Sequence, residues 1–152
     1  MQIIYHGSFC KIPKPEIIIG KYTKDFGNGQ YFTILKDQAT KWAEKYSTPV
    51  VNMYEYEQDS SLNIKEFSLM TEEWLDFIID CRAGKKHNYD IVIGAMADDQ
   101  IYNYINDLIA GNITRAAFWE LAKFRHPTHQ IAFCTTKSLE CIKFIGIEEN
   151  IW

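Results

Sequence analysis

Asp25-Phe26-Gly27-Asn28-Gly29-Gln30-Tyr31-Phe32-Thr33 sets two glycines, two positions apart, in front of a β-prone run. Glycine reaches backbone conformations closed to other residues. Gly27 and Gly29 therefore predict a bend where the chain passes close to something, and Gln30–Thr33 predicts the strand behind it. The stretch is not a dinucleotide fingerprint: Gly-x-Gly-x-x-Gly is absent and no helix opens directly after it. Taken alone, it reads as a glycine bulge that turns a strand.

Downstream, Leu35, Ala39, Trp42, Ala43 and Tyr46 recur at helical spacing, and Pro49 closes that helix. Strands are predicted over Val50–Tyr56 and Leu62–Phe67. Thr71-Glu-Glu-Trp74 has the acidic first turn of a helix ended by Gly84, with Trp74, Phe77 and Ile78 inward. Tyr89–Gly94 reads as a strand central to a sheet. Asp98–Ala110 is an amphipathic helix with Ile101, Tyr104, Ile105 and Leu108 on its buried face, closed by Gly111. Asn112 or Thr114 caps a further helix to about Phe124, stopped by Pro127. A strand over Gln130–Thr135, a short helix over Thr136–Cys141 and a strand over Ile142–Ile145 complete the chain. Upstream, Met1–Gly7 reads as a first strand, and Lys11–Phe26 as loop with one short extended piece at Ile17–Ile19. Strands and helices mix without strict alternation, which predicts an α+β domain, mostly antiparallel, over residues 1–152.

The 152 residues carry 16 Lys+Arg against 20 Asp+Glu, a net charge of -4, with 47% apolar residues. That composition excludes intrinsic disorder and collagen-like repeats, and the mild acidity argues against broad phosphate-backbone binding. No apolar run approaches the roughly 20 residues that cross a bilayer, and no signal peptide opens the chain, so a cytoplasmic protein without a membrane partner is expected. Cys10, Cys81, Cys134 and Cys141 form no Cys-x-x-Cys pair, and the four histidines complete no zinc pattern. The cysteines read as small buried hydrophobes, and no metal is expected.

Four constellations bear chemistry. In Tyr5-His6-Gly7-Ser8, a histidine can bond a sugar hydroxyl while the glycine exposes its backbone to a ligand; the plainer reading is a turn at a strand end. The Gly27–Thr33 stretch is the second. Trp42, eleven residues beyond Tyr31, can oppose that ring across a flat heterocycle or simply pack in the core. His129-Gln130 opens an apolar strand, where a polar side chain reaches a cleft or only the solvated edge of a sheet.

Taken together, in this order, these residues resemble the ADP-ribosyltransferase fold. The branch is the one with a His–Tyr–Glu triad, shared by poly-ADP-ribose polymerases and diphtheria-type toxins. The whole chain resembles a small bacterial single-domain family of that fold, with Tyr22, Asp25, Trp74, Phe77, Arg82, Tyr89-Asp90, Ala97-Asp98-Asp99 and the Gln130 strand as further landmarks. The resemblance implies a pair of small sheets flanked by helices around a cleft for NAD, which serves as co-substrate. It implies that His6 bonds the adenosine-side ribose and that Gly7 holds the nicotinamide carboxamide through its backbone, with Ser8 and Gly29 beside them. It also places Tyr31 against the nicotinamide, Trp42 as a second stacking ring, and Gln130 in the place of the catalytic glutamate.

Glutamine at 130 keeps a hydrogen bond but loses a negative charge, and one preorganised electrostatic partner of a transition state is worth about 3–4 kcal/mol. Asp98 and Asp99 are candidate acids to supply that charge, or else caps of their helix; Glu140 is a weaker candidate. Arg82 is a candidate grip for the pyrophosphate, or a complement to its helix C-terminus. The resemblance implies an NAD-dependent mono-ADP-ribosyltransferase acting on an intracellular protein or nucleic-acid acceptor, as a bacterial toxin or phage-defence effector with a neutralising antitoxin partner. The alternatives are an NAD- or ADP-ribose-binding module without turnover, an NAD glycohydrolase, and a partner-binding domain that uses its nine Phe, nine Tyr and four Trp as an interface.

Overall fold

The glycine-led strand lies at the seam between two small sheets. A computed structural model describes residues 1–19, 25–97, 99–123 and 128–148, with Asp99 placed by its backbone alone. Its strands are β1 (Gln2–Ser8), β2 (Gln30–Phe32), β3 (Val50–Tyr56), β4 (Ile64–Glu66), β5 (Ile91–Gly94), β6 (Gln130–Phe133) and β7 (Ile142–Ile147). The helices are α1 (Lys36–Glu44), α2 (Glu72–Arg82), α3 (Asp99–Ile109) and α4 (Arg115–Ala122), with a short 3-10 helix at Lys137–Cys141. One sheet runs β1-β3-β7 and the other β2-β6-β5-β4. Tyr5 and Thr33 join the two by a backbone bridge, with N–O distances of 2.8 and 2.9 Å.

Side-chain alternation along the strands sorts the apolar residues into layers. Phe32, Ile131 and Phe133 meet Ile4, Tyr54 and Tyr56 of the first sheet. Their neighbours Tyr31, Val92 and Ala132 turn the other way, onto Trp74, Ile78, Ile105 and Phe118 from α2, α3 and α4. On its outer face the first sheet receives α1 through Ala39, Ala43 and Val51. The order is helix, sheet, sheet, helices. Each fully buried Ile, Leu or Phe contributes about 1.5–3 kcal/mol by leaving water.

Local signals set the helix ends. Thr71 and Thr114 cap α2 and α4 by accepting from the backbone N–H of Trp74 and Ala117. Gly84 and Gly111 follow α2 and α3 with φ of 88° and 79°, the left-handed region where a helix stops on glycine.

Three readings change. β4 is shorter than Leu62–Phe67, because Asp90 takes the Asn63 N–H with its carboxylate. β6 ends at Phe133: the Cys134 N–H still reaches the carbonyl of Asp90, the next residue in register, but the Asp90 N–H turns away to the Asn63 carbonyl. Pairing is mostly antiparallel, as expected; β4 and β5 run parallel because α2 returns the chain across the sheet. Cys10 is exposed rather than buried, and all four cysteines are free thiols. Tyr22, Asp98, Phe124 and Pro127 lie outside the described residues. Among the described residues no helix is long and apolar enough to cross a membrane.

Candidate functional site

Register places the sequence-named residues along the seam. β2 and β6 pair Tyr31 with Ala132 and Phe32 with Ile131, so the next residues, Thr33 and Gln130, continue side by side. Thr33 bridges Tyr5 on one side, and Gln130 pairs with Gly94 on the other. Tyr5, Thr33, Gln130 and Gly94 therefore form one row across the joined sheets, with Gln130 about 10 Å from Tyr5 at two strand spacings.

His6 sits one residue beyond this row. Its Nδ1 lies 2.6 Å from the Tyr31 carbonyl oxygen, which can only accept, so Nδ1 donates the proton of this bond. The bond ties the first motif to the second across twenty-five residues of sequence. Gly7 follows. Backbone groups alternate sides along a strand, so its N–H and C=O point the same way as those of Tyr5, toward the β2 side. On its Cα face, α1 leaves no room: a Cβ at residue 7 would stand 2.1 Å from the Ala39 carbonyl oxygen and 3.0 Å from the Trp42 Cβ. Trp42 is half-buried beside it, and Ser8 is buried at the strand end.

Tyr31 shares a face with Gln130 and points toward α2 and α3. Its hydroxyl donates to the Gly27 carbonyl at 2.7 Å and accepts from the Phe26 N–H at 3.0 Å. Burial pushes its ionisation far above the ordinary tyrosine value. Gly29 holds the turn against β6, where a Cβ would stand 2.5 Å from the Phe133 carbonyl oxygen. His87 supports the same turn. Its Nδ1 accepts from the Tyr89 N–H, so its Nε2 donates to the Phe26 carbonyl at 2.9 Å.

Gln130 is 3% exposed, which sets aside the solvated strand edge. Its Nε2 meets Asp25 Oδ2 at 3.4 Å. That same oxygen accepts from the Ala97 N–H at 2.9 Å, and Asp25 Oδ1 pairs with Arg82 at 2.7 Å. Arg82 also lies over the Tyr102 ring, 4.2 Å from its centroid. The guanidinium considered for a pyrophosphate thus faces a carboxylate of its own chain. The sequence singled out Asp25 only as a landmark. Its partners are 57, 72 and 105 residues away, so no local pattern announces the cluster.

Asp98 lies outside the described residues; Asp99 opens α3. Glu140 lies elsewhere, on a hollow of about 550 Å³ shared with Glu57, Asp59 and Lys143. A smaller hollow of about 290 Å³ is lined by Phe67, Leu69, Met70, Gly94, Thr128 and His129, and Gln130 is not part of its lining. Gln38 from α1 braces its rim, bonding both the N–H and the carbonyl of His129. Desolvation holds the His129 imidazole below the ordinary histidine value, which keeps it neutral near pH 7. Among the described residues no group of three His, Cys, Asp or Glu side chains could hold a metal ion.

These features define an α+β protein of two bridged sheets with a buried carboxylate–guanidinium–amide cluster at their seam. Residues 2–144 match the family described as protein of unknown function (DUF3990), and the chain belongs to that family. No curated protein and no solved structure matches the chain.

Proposed function

We propose that this protein is an NAD-dependent mono-ADP-ribosyltransferase acting on a macromolecular acceptor inside the cell. The observation that carries the reading is the bond from His6 Nδ1 to the Tyr31 carbonyl, with Gln130 two residues along β6 from Ala132, the partner of Tyr31. It gathers the histidine, the tyrosine and the polar residue of the late strand at one seam, in the order the resemblance calls for. In this reading Gly7 offers one N–H and one C=O to the nicotinamide carboxamide, which presents one acceptor and one donor in return. His6 Nε2 accepts from a ribose hydroxyl, Tyr31 and Trp42 flank the nicotinamide, and Gln130 bonds the hydroxyl next to the bond that breaks. The nicotinamide–ribose bond then cleaves with cationic character, and the acceptor attacks the anomeric carbon.

The uncharged amide of Gln130 favours a second reading, an NAD- or ADP-ribose-binding module without turnover. Nicotinamide release from NAD by the purified protein, with and without cell extract, separates the two beside His6→Ala and Gln130→Ala variants. Release that depends on extract and falls in both variants supports the transferase. Release without extract makes it a glycohydrolase. Thermal protection by NAD without release makes it a binding module, and neither release nor protection overturns the NAD reading.

A further inference from the structure

We infer that Asp25 is the positioning residue for Gln130, fixing its amide with Nε2 inward and the carbonyl oxygen Oε1 toward the ligand. A carboxylate only accepts hydrogen bonds, so the Gln130 contact to Asp25 Oδ2 commits the NH2 end of the amide to that side. Oε1 is then the end that accepts a substrate hydroxyl. The carboxylate is itself held on both oxygens, by Arg82 at 2.7 Å and by the Ala97 N–H at 2.9 Å. Side chains of Asp25 and Arg82 are 11% and 7% exposed, so little water competes for them.

The cluster also accounts for glutamine rather than glutamate at 130. A second carboxylate against Asp25 would meet like charge in a buried place, whereas an amide donates to it. The negative charge stands one hydrogen bond behind the acceptor. An amide N–H bonded to a carboxylate polarises the group and strengthens its oxygen as an acceptor.

This inference rests on the reading of Gln130 as the partner of the NAD ribose. Its test is steady-state nicotinamide release by wild type, Asp25→Asn, Gln130→Glu and the double variant, each checked for folding by its melting temperature. Asp25→Asn frees the glutamine to turn, so kcat falls about 10- to 100-fold with KM for NAD within about twofold. Gln130→Glu alone falls as well, and the double variant, where an amide faces the new carboxylate, recovers at least tenfold over it. Losses that simply add, or an Asp25→Asn variant with unchanged kcat, overturn the inference while leaving the NAD reading in place.

The side-chain amide signals of Gln130 in a 1H–15N spectrum decide the pairing without turnover. Movement of those signals in Asp25→Asn, against little change elsewhere on β6, supports it; unmoved signals overturn it. A wild type that neither cleaves nor binds NAD overturns the reading, and with it the hydroxyl partner given to Oε1.

Discussion

Arg82 and Asp25 close a 2.7 Å ion pair beneath the sheet seam, linking the end of α2 to the turn that precedes β2. Removing one member strands the other. Arg82→Ala is expected to cost about 3–5 kcal/mol in urea unfolding, because the Asp25 carboxylate stays buried without its cation. Replacing Lys85, whose partner Asp80 is exposed, should cost less than about 1 kcal/mol.

Gly7 carries α1 directly on its Cα. Gly7→Ala drives a methyl group into the Ala39 carbonyl, and an unfolding free energy about 3 kcal/mol lower is expected. Gly84→Ala is the control. It has open space and meets only the left-handed backbone, for about 1–2 kcal/mol. Equal losses in the two variants would show that α1 does not press on β1.

Two buried tyrosines should respond in opposite ways. Tyr31→Phe leaves the Gly27 carbonyl and the Phe26 N–H without their partner, for about 1–3 kcal/mol. Among the described residues no group bonds the buried Tyr56 hydroxyl, so Tyr56→Phe should be neutral or stabilising.

Alkaline pH tests the same burial. Desolvation pushes Tyr56 up to about 12 from 10.0, and Tyr31 higher still. Unfolded tyrosine loses its proton first, so this stability is complete below pH 10 and declines as pH rises toward 12. Urea midpoints measured from pH 9 to pH 11.5 should fall, and fall less steeply in Tyr56→Phe.

Thiol labelling at pH 7 should proceed in one fast step. Cys10 is exposed, while burial pushes Cys81 and Cys134 up to about 12 and keeps them protonated. Cys10→Ser should abolish the fast step without changing the melting temperature.

Sequence patterns marked the elements well wherever one periodicity ran unbroken. The Val50–Tyr56 strand, the Thr71 cap and the Ile101–Ile105 face of α3 are read directly from spacing. Strand ends were less legible, since at β4 and β6 Asp90 leaves the ladder, its carboxylate taking the Asn63 N–H and its own N–H going to the Asn63 carbonyl. At the site, His6, Tyr31 and Gln130 stood out by their neighbours: a His-Gly pair, a Gly-x-Gly-x-Tyr run and a polar residue that opens an apolar strand. Asp25 did not, because its worth depends on three partners from distant parts of the chain: the end of α2, the connection after β5 and the start of β6. Gly7 shows the converse. It was noticed for an open backbone, yet the reason no side chain fits there is a helix lying on it.

The long reach of the Asp25 contacts also dates the site within synthesis. Asp25 and His6 leave the ribosome early, but Arg82, Ala97 and Gln130 follow one by one, and the last closes the cluster. A nascent chain that stops before β6 has the histidine and tyrosine motifs without the residue that completes them. The cluster at this seam is therefore assembled only once β6 has been made.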